Sequence, residues 1–453
     1  MKTILRLAFV VLTFFSCSAN SNPIEKQSDK ETEETTKHSQ TKVNPGNVSD
    51  SSMYPATPYS QDGAGYQGKD FKELPQNRML TFTAGENDTD RLNQLITDLN
   101  QKGGGTILIK KGAYTIKDVC LKSNIHITIE QGTTFTMDHD KWHKGIKNFL
   151  FNIGMKEGKS LVQNVKITGL GTINSRPKCI LTRPKNTFYR AIAIGYVKNV
   201  LIQNLTIQDH LTKGAAIAFN PVKVSNQHAN IAQNVTIANI ELTGGSIGYG
   251  LAQTNVGKNI LLKNLVSHGG MTCRIEAHTG RQYNLGVSNI VIKNVASIHG
   301  KAAVLLQPHS VVNGRILVDG AKSQGSTWTL FLRRGFVAKD SKRKARGSFS
   351  QNSQFKNISL AATDHTATLS YKNFVYVPKA LHPLYKNPDF NPVLNDANYT
   401  LVDGGGYGKE SAVLGASVAV VFTDADYPMQ LPTENQLVLT GKTEGRIKIM
   451  DKK

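Results

Sequence analysis

Arg274, Glu276 and His278 occupy alternate positions of the short segment 271–278. On a β-strand, whose side chains alternate between faces, these three ionisable groups share one side. Cys273, Ile275 and Ala277 take the other, toward a core. A carboxyl group between a guanidinium and an imidazole, held on a rigid strand, suits acid–base chemistry. Almost everything else in the chain reads as scaffold, so the scaffold decides what can stand beside these groups.

That scaffold is a repeat. Asn199, Asn234, Asn259 and Asn289 each open a run of β-branched and aliphatic residues, and a second asparagine follows five positions later at Asn204, Asn239, Asn264 and Asn294. Asn164 begins a weaker early copy and Asn357 a late one. From Asn164 to Asn289 the steps are 35, 35, 25 and 30 residues, which fits one shared unit with loop insertions of variable length. The units lack the 3.6 period of helical solenoids and the leucine periodicity of leucine-rich repeats. They predict an all-β chain, a parallel β-helix whose stacked coils bury a continuous apolar core. Paired asparagines suit its turns, because Asn tolerates the left-handed region and can bond a neighbouring backbone.

The entry to the solenoid is also legible. Leu92, Leu95, Ile96 and Leu99 mark an amphipathic helix that follows Asp88 and stops at Gly103, Gly104 and Gly105. Strand patterns at 106–109, 114–116 and 125–129 form the first coil. This helix–glycine–strand opening resembles that of pectin-lyase-like right-handed β-helices. The resemblance implies a right-handed parallel β-helix solenoid with an N-terminal capping helix over its open end. Ahead of it, Lys2 and Arg6 precede an apolar run from Leu7 to Phe15, too short to span a bilayer as a mature helix. Residues 1–17 are therefore predicted to be a secretory signal. Phe15-Ser16-Cys17 resembles a bacterial lipobox with Cys17 lipidated; ordinary cleavage near Ala19 is the alternative. Residues 18–52, polar and nearly free of large apolar side chains, are predicted to be a disordered tether. Residues 53–370 are assigned to the β-helix, and 371–453 to final coils or a small appendage. Cys120, Cys179 and Cys273 imply no disulfide framework and match no metal spacing.

The net charge of +21 gives the exported chain a cationic field. A sulfated or uronate glycan is a better partner for it than nucleic acid, although a basic pI unconnected with substrate is the plain alternative. Stacked coils place equivalent positions roughly 4.8 Å apart. Counted from the coil's first asparagine, Gln253 and His278 both fall at position 19, and Tyr249 falls beside Arg274. A solvent-facing patch of Tyr249, Gln253, Arg274, Glu276 and His278 is expected, with Gly244, Gly245, Gly248, Gly250, Gly269 and Gly270 leaving room for a polymer. His309, beside Pro308, lies one position off the register of His278 and needs a bulge to join them. Arg333 and Arg334, with the basic run 339–346, are either a solvated loop or a site where guanidinium groups fork onto sulfate oxygens.

The blocks 248–253, 259–265 and 267–270, Arg274-Ile275-Glu276, 302–309 and 335–337 look like the ι-carrageenases of glycoside hydrolase family 82. The resemblance implies an endo-acting, inverting hydrolase of β-1,4 bonds in ι-carrageenan, with a basic cleft. It implies Glu276 as general acid, Gln253 as a residue that helps hold a chloride ion and the water, and His309 as a substrate ligand. His268, Arg281, Arg333 and Arg334 join the candidate substrate-binding set. No cofactor is required, with a chloride ion near Gln253 and a structural calcium or sodium ion allowed for. The chain is expected to act as a monomer at the bacterial cell surface, touching the membrane only through its lipid anchor. One departure stands out: where the family pattern carries the general-base Asp, this chain has His278. A neutral imidazole can serve as a base. The alternatives are a catalytically impaired surface glycan-binding protein and a polysaccharide lyase acting on uronates.

Overall fold

The computed structural model describes residues 62–66, 78–138, 148–155, 160–182 and 189–361, apart from 211 and 213, together with five strands beyond them. All of these lie in one compact unit, residues 50–453. The predicted signal and tether lie outside the described residues, as does most of 371–453.

The chain is a parallel β-helix. Its stacking is clearest in one row of inward side chains, in which Ile107 pairs with Ile127, and the row continues through Ile167, Ile202, Ile237, Leu262, Ile292 and Val318 to Phe355. All belong to one core cluster. Each coil contributes one apolar residue to this row, so no coil buries its apolar face alone. Two further ladders complete each coil. In one, Tyr114 pairs with Phe135 and Thr206 with Glu241. In the other, Ile192, Ile217, Ala252, Cys273, Val304 and Leu330 stack in register, and this ladder carries the candidate site on its outer face.

The asparagines do what their spacing suggests. Asn164, Asn199, Asn234, Asn259 and Asn289 have φ between 54° and 58°, as do the second set near 52–59°. The first set also bonds along the stack: each side-chain Nδ2 donates to the Oδ1 of the preceding coil's asparagine, from Asn164 onto Asn124 to Asn289 onto Asn259, at 3.0–3.4 Å. Arg315 donates to the exposed end of this ladder. The variant Asn234→Ala is expected to lose about 1–3 kcal/mol of stability, from two ladder bonds and a strained φ. Asn234→Gly, which relieves only the φ, should lose less. Urea denaturation measures both; an alanine variant as stable as the parent would show that the ladder does not hold the coils.

The helix Asp88–Gln101 buries Leu92, Ile96 and Leu99 and bonds to the first coil, with Asn93 accepting from Cys120 N–H and Thr89 from Lys117 N–H. Residues 62–66 lie across the outer face of the first ladder: Ala64 packs on Leu261 and Val291, and Asp62 pairs with both Lys263 and Lys293. Strand Val418–Phe422 pairs in parallel with Trp328–Leu332, and Leu437–Thr440 with Gln354–Ala361, so these strands extend the ladders.

Candidate active site

The strand Gly257–Glu276 carries the expected alternation as far as Glu276. Cys273 and Ile275 enter the core with no exposure, and Arg274 and Glu276 emerge on the other face. His278 lies past the strand end, where its N–H bonds to the Glu276 carbonyl at 2.7 Å, and the residue keeps an exposed edge while its ring packs against His309. It joins the site through a tight turn, not through the strand's period of two.

The Glu276 carboxylate is held from both sides. Arg274 Nε donates to Oε2 at 2.5 Å, and His309 Nε2 lies 3.0 Å from Oε1. The expected solvent-facing position is therefore corrected: Glu276 is 5% exposed. His309 covers it because a left-handed turn (φ 55°) after the strand Ala302–Gln307 folds the ring back. Phe336 packs on that ring at 4.6 Å, and the N–H groups of Phe336 and Gly347 both donate to the His309 carbonyl. His278 meets His309 edge-on, with ring centroids 5.5 Å apart. The sequence-level need for a bulge at Pro308 is answered by this turn.

Burial pushes the Glu276 carboxyl up, but the Arg274 charge and the His309 hydrogen bond outweigh it and hold the group well below the usual carboxylate range. His278 is held below the ordinary imidazole range by burial, and by Arg281, His309 and Arg274, against the opposing pull of Glu276. At neutral pH the pair is thus a carboxylate beside a neutral imidazole.

The register correction is larger. Gln253 pairs with Arg274, not with His278. The offset between these coils is set by Leu242 with Ser267, then shifts at Gly245 with Gly269 and again at Gly250 with Met271. Irregularities in the glycine-rich stretch take up residues of the longer segment, which moves Gln253 four positions along its neighbour. Tyr249 still reaches Arg274, whose Cζ lies 5.3 Å from its ring centroid, and the Gly248 carbonyl accepts from Arg274 Nη1.

The other candidates divide. Arg333 is in the site: it donates to Gln307 at 3.0 Å, and Gln307 pairs with Glu276 across the strands. Arg334, half-buried, follows it in the chain. Arg281 is committed elsewhere, to Asp340 at 2.7 and 3.0 Å and to the His278 carbonyl at 2.8 Å, so it fixes the 278–283 turn. His268 pairs with Glu241 at 2.9 Å, and Gly269 and Gly270, both with positive φ, turn the chain between it and Arg274.

Lys301 was not foreseen. It stands one coil from Arg274, 8% exposed, with Nζ 5.7 Å from the Phe331 ring centroid. Its only sequence signal is a charge at the mouth of the apolar run 302–306, which ordinarily marks a solvated strand edge.

No family model matches the chain. It is 31% identical over 290 residues to an iota-carrageenase of Alteromonas macleodii, a match covering 60% of this chain and 56% of that one. An iota-carrageenase of Zobellia galactanivorans matches at 29% over 286 residues, 60% of this chain and 55% of the relative. Among solved structures, an iota-carrageenase of glycoside hydrolase family 82 from A. fortis superposes with a TM-score of 0.68 at 22% identity, covering 85% of this chain and 93% of that one. An iota-carrageenase complexed to iota-carrageenan fragments gives 0.66 at 20% identity, covering 84% and 95%. The chain resembles the iota-carrageenases in sequence and in fold. It spans just over half the length of the curated relatives it matches.

Arg274 and Glu276 share the outer face of their strand, and His278 follows them in the turn. The donors for a chloride ion are of the right kind, since Gln253 offers an amide and its strand neighbour Arg274 a cation. Both are engaged, Gln253 with Asn255 at 3.3 Å and Arg274 with Glu276. Among the described residues, no cluster of three or more His, Cys, Asp or Glu side chains could hold a metal ion.

Proposed function

We propose that the chain is an exported endo-acting hydrolase of a sulfated galactan, iota-carrageenan, which cleaves β-1,4 bonds with inversion. The observation that carries this reading is the Glu276 carboxylate, buried on the outer sheet face between Arg274 and His309, in a chain similar to iota-carrageenases. The net charge of +21 supports a polyanionic substrate, and the N-terminal signal and lipobox pattern support action outside the cell, on a lipid anchor.

Inversion needs a proton donor and a base flanking the scissile bond, about 6.5–9.5 Å apart, with room for water. In the proposal Glu276 gives its proton to the leaving oxygen and His278, neutral at working pH, takes one from the attacking water. The ionised state of Glu276 in the free protein supplies the coupling. A sulfate entering beside Arg274 competes for its guanidinium, which weakens the hold on Glu276 and raises its pKa when substrate is present. The proton that Glu276 then gives is taken up from solvent as its pKa rises. Gln253 and Arg274 would hold a chloride ion, which would supply negative charge beside the water.

A panel of iota-carrageenan, other carrageenans, agar and uronate polymers tests the reading. Reducing ends are expected from iota-carrageenan with no ultraviolet-absorbing unsaturated ends. Unsaturated ends from a uronate would establish the lyase alternative, and no reducing ends from any sulfated galactan would overturn hydrolysis. The loss of a carboxylate at 278 and the ionised Glu276 favour one second reading, a surface glycan-binding protein. It is identified by bound polymer whose viscosity does not fall on long incubation.

A further inference from the structure

The turn that carries His278 is held from outside its own strand. The His278 carbonyl accepts from Arg281 Nη1 at 2.8 Å, and the Arg281 N–H closes the turn onto the Ala277 carbonyl at 3.0 Å. Arg281 is largely buried, and the rest of its guanidinium forks onto Asp340, Nε to Oδ1 at 2.7 Å and Nη2 to Oδ2 at 3.0 Å. Asp340 lies 59 positions further along the chain. Gln282 Nε2 donates to the same carboxylate at 2.9 Å, and the Lys342 N–H donates to the Arg281 carbonyl at 2.9 Å. These four bonds tie the loop 338–342 to the turn 278–282, and three of them end on Asp340.

Asp340 is a carboxylate set in a run of cations: Lys339 precedes it, and Lys342, Arg343, Lys344 and Arg346 follow. Two of those cations turn to backbone carbonyls, Lys342 Nζ to Gln227 at 3.1 Å and Arg343 Nη1 to Ala345 at 3.0 Å. The carboxylate faces away from its own loop, to Arg281, which with Gln282 holds it down at about 2. An exposed ion pair is ordinarily worth little. This one is a two-pronged fork onto a guanidinium that has left water and needs an anion. The His278 ring is faced by Glu276 and Arg274 from its own strand, by Arg281 from the turn and by His309 from the next coil. Asp340 is the anion behind Arg281. Burial holds the ring below the ordinary imidazole range, and Arg281 adds to it against Glu276.

We propose that Asp340 is a positioning residue for His278, acting through Arg281: it fixes where the ring stands beside Glu276 and offsets the guanidinium charge next to that ring. This rests on the reading of His278 as the base. His278 lies past the strand end, so the turn, not the sheet, sets its direction. Without Asp340 the guanidinium must find another acceptor, and the carbonyl it holds at 2.8 Å moves with it. A displacement on the order of 1 Å in a catalytic group costs roughly a hundredfold in rate.

The test combines kinetics on iota-carrageenan with an NMR titration of the His278 ring, assigned by its loss in His278→Ala. It compares the parent with Asp340→Asn, Asp340→Glu and Arg281→Met, and urea denaturation shows that each is folded. Asp340→Asn should lower kcat about ten- to a hundredfold with KM nearly unchanged, and Asp340→Glu should restore most of it. In a His278→Ala background Asp340→Asn should cost little more, because both changes remove the same function; this comparison needs no Arg281 variant. The ring should titrate at lower pH in Asp340→Asn, where the guanidinium is left uncompensated. It should titrate at higher pH in Arg281→Met, where the cation is gone. A purely structural clasp would loosen the turn in both variants and shift both titrations the same way. That result overturns the proposal, as does the parent's kcat in Asp340→Asn or a full further loss in the His278→Ala background. If the parent releases no reducing ends the hydrolase reading falls, and the opposed ring shifts still decide whether Asp340 acts on His278.

Discussion

Replacement of Glu276 by Gln is expected to lower kcat on iota-carrageenan by about a thousandfold or more, within the range that a positioned general acid contributes. The amide keeps the shape of the group. Its oxygen can still accept from Arg274, and its NH2 can donate to His309 Nε2 once the neutral imidazole carries its proton on Nδ1, so the two contacts can be retained. What it cannot do is deliver a proton. Polymer binding should therefore survive while reducing ends disappear, and a Gln variant with the parent's kcat would remove Glu276 from the mechanism. Stability adds an independent reading with a definite sign. Folding holds the Glu276 pKa below its unfolded value, so its contribution is present above about pH 4.3 and is lost as pH falls toward the folded value. Glu276→Gln should be less stable than the parent near neutrality, because the largely buried Arg274 loses its anion, and the gap should narrow below about pH 4. Urea denaturation at pH 7 and at about pH 3 measures it.

The second large effect belongs to His278. His278→Ala is expected to lower kcat by about a hundredfold or more, and to remove the acid limb of the kcat/KM profile. That limb should fall below the ordinary imidazole value, since burial, with Arg281 and Arg274 adding to it, outweighs Glu276 in holding the ring neutral. The decisive comparison is His278→Asp, which restores a carboxylate. It should retain activity, raise the pKa of Glu276 through like-charge repulsion, and move the limb that reports the acid toward higher pH. An alanine variant as active as the parent would assign the base to another group. An alanine variant that binds polymer normally, in a parent that never cleaves it, would favour the glycan-binding reading.

Some of this was readable residue by residue. The asparagine repeat, its left-handed turns, the inward course of Cys273 and Ile275 and the outward course of Arg274 and Glu276 all follow from rules that act over a few neighbouring positions. So does the helix that ends at Gly103 and Gly104. The apolar rows of the β-helix follow too, because every coil repeats the same local choice of β-branched residue, strand and turn.

Other features depended on distances that no local pattern encodes. Coil-to-coil register accumulates every insertion and bulge between two strands, so the irregular stretch from Gly245 to Gly250 set Gln253 against Arg274 and defeated a count from the asparagines. The burial of Glu276 required His309 to turn back from the next coil and Phe336 to pack behind it. Arg281 looked like a substrate ligand until Asp340, far along the chain, took its guanidinium. Lys301 had no signal of its own, since its surroundings exist only after Phe331, Arg333 and Arg274 arrive from other coils. Sequence alone determined the fold and the sheet face, and it singled out Glu276 as the acid of the proposed mechanism. Tertiary structure decided which charges meet there, because desolvation and Coulomb attraction act through space between residues that the chain keeps far apart.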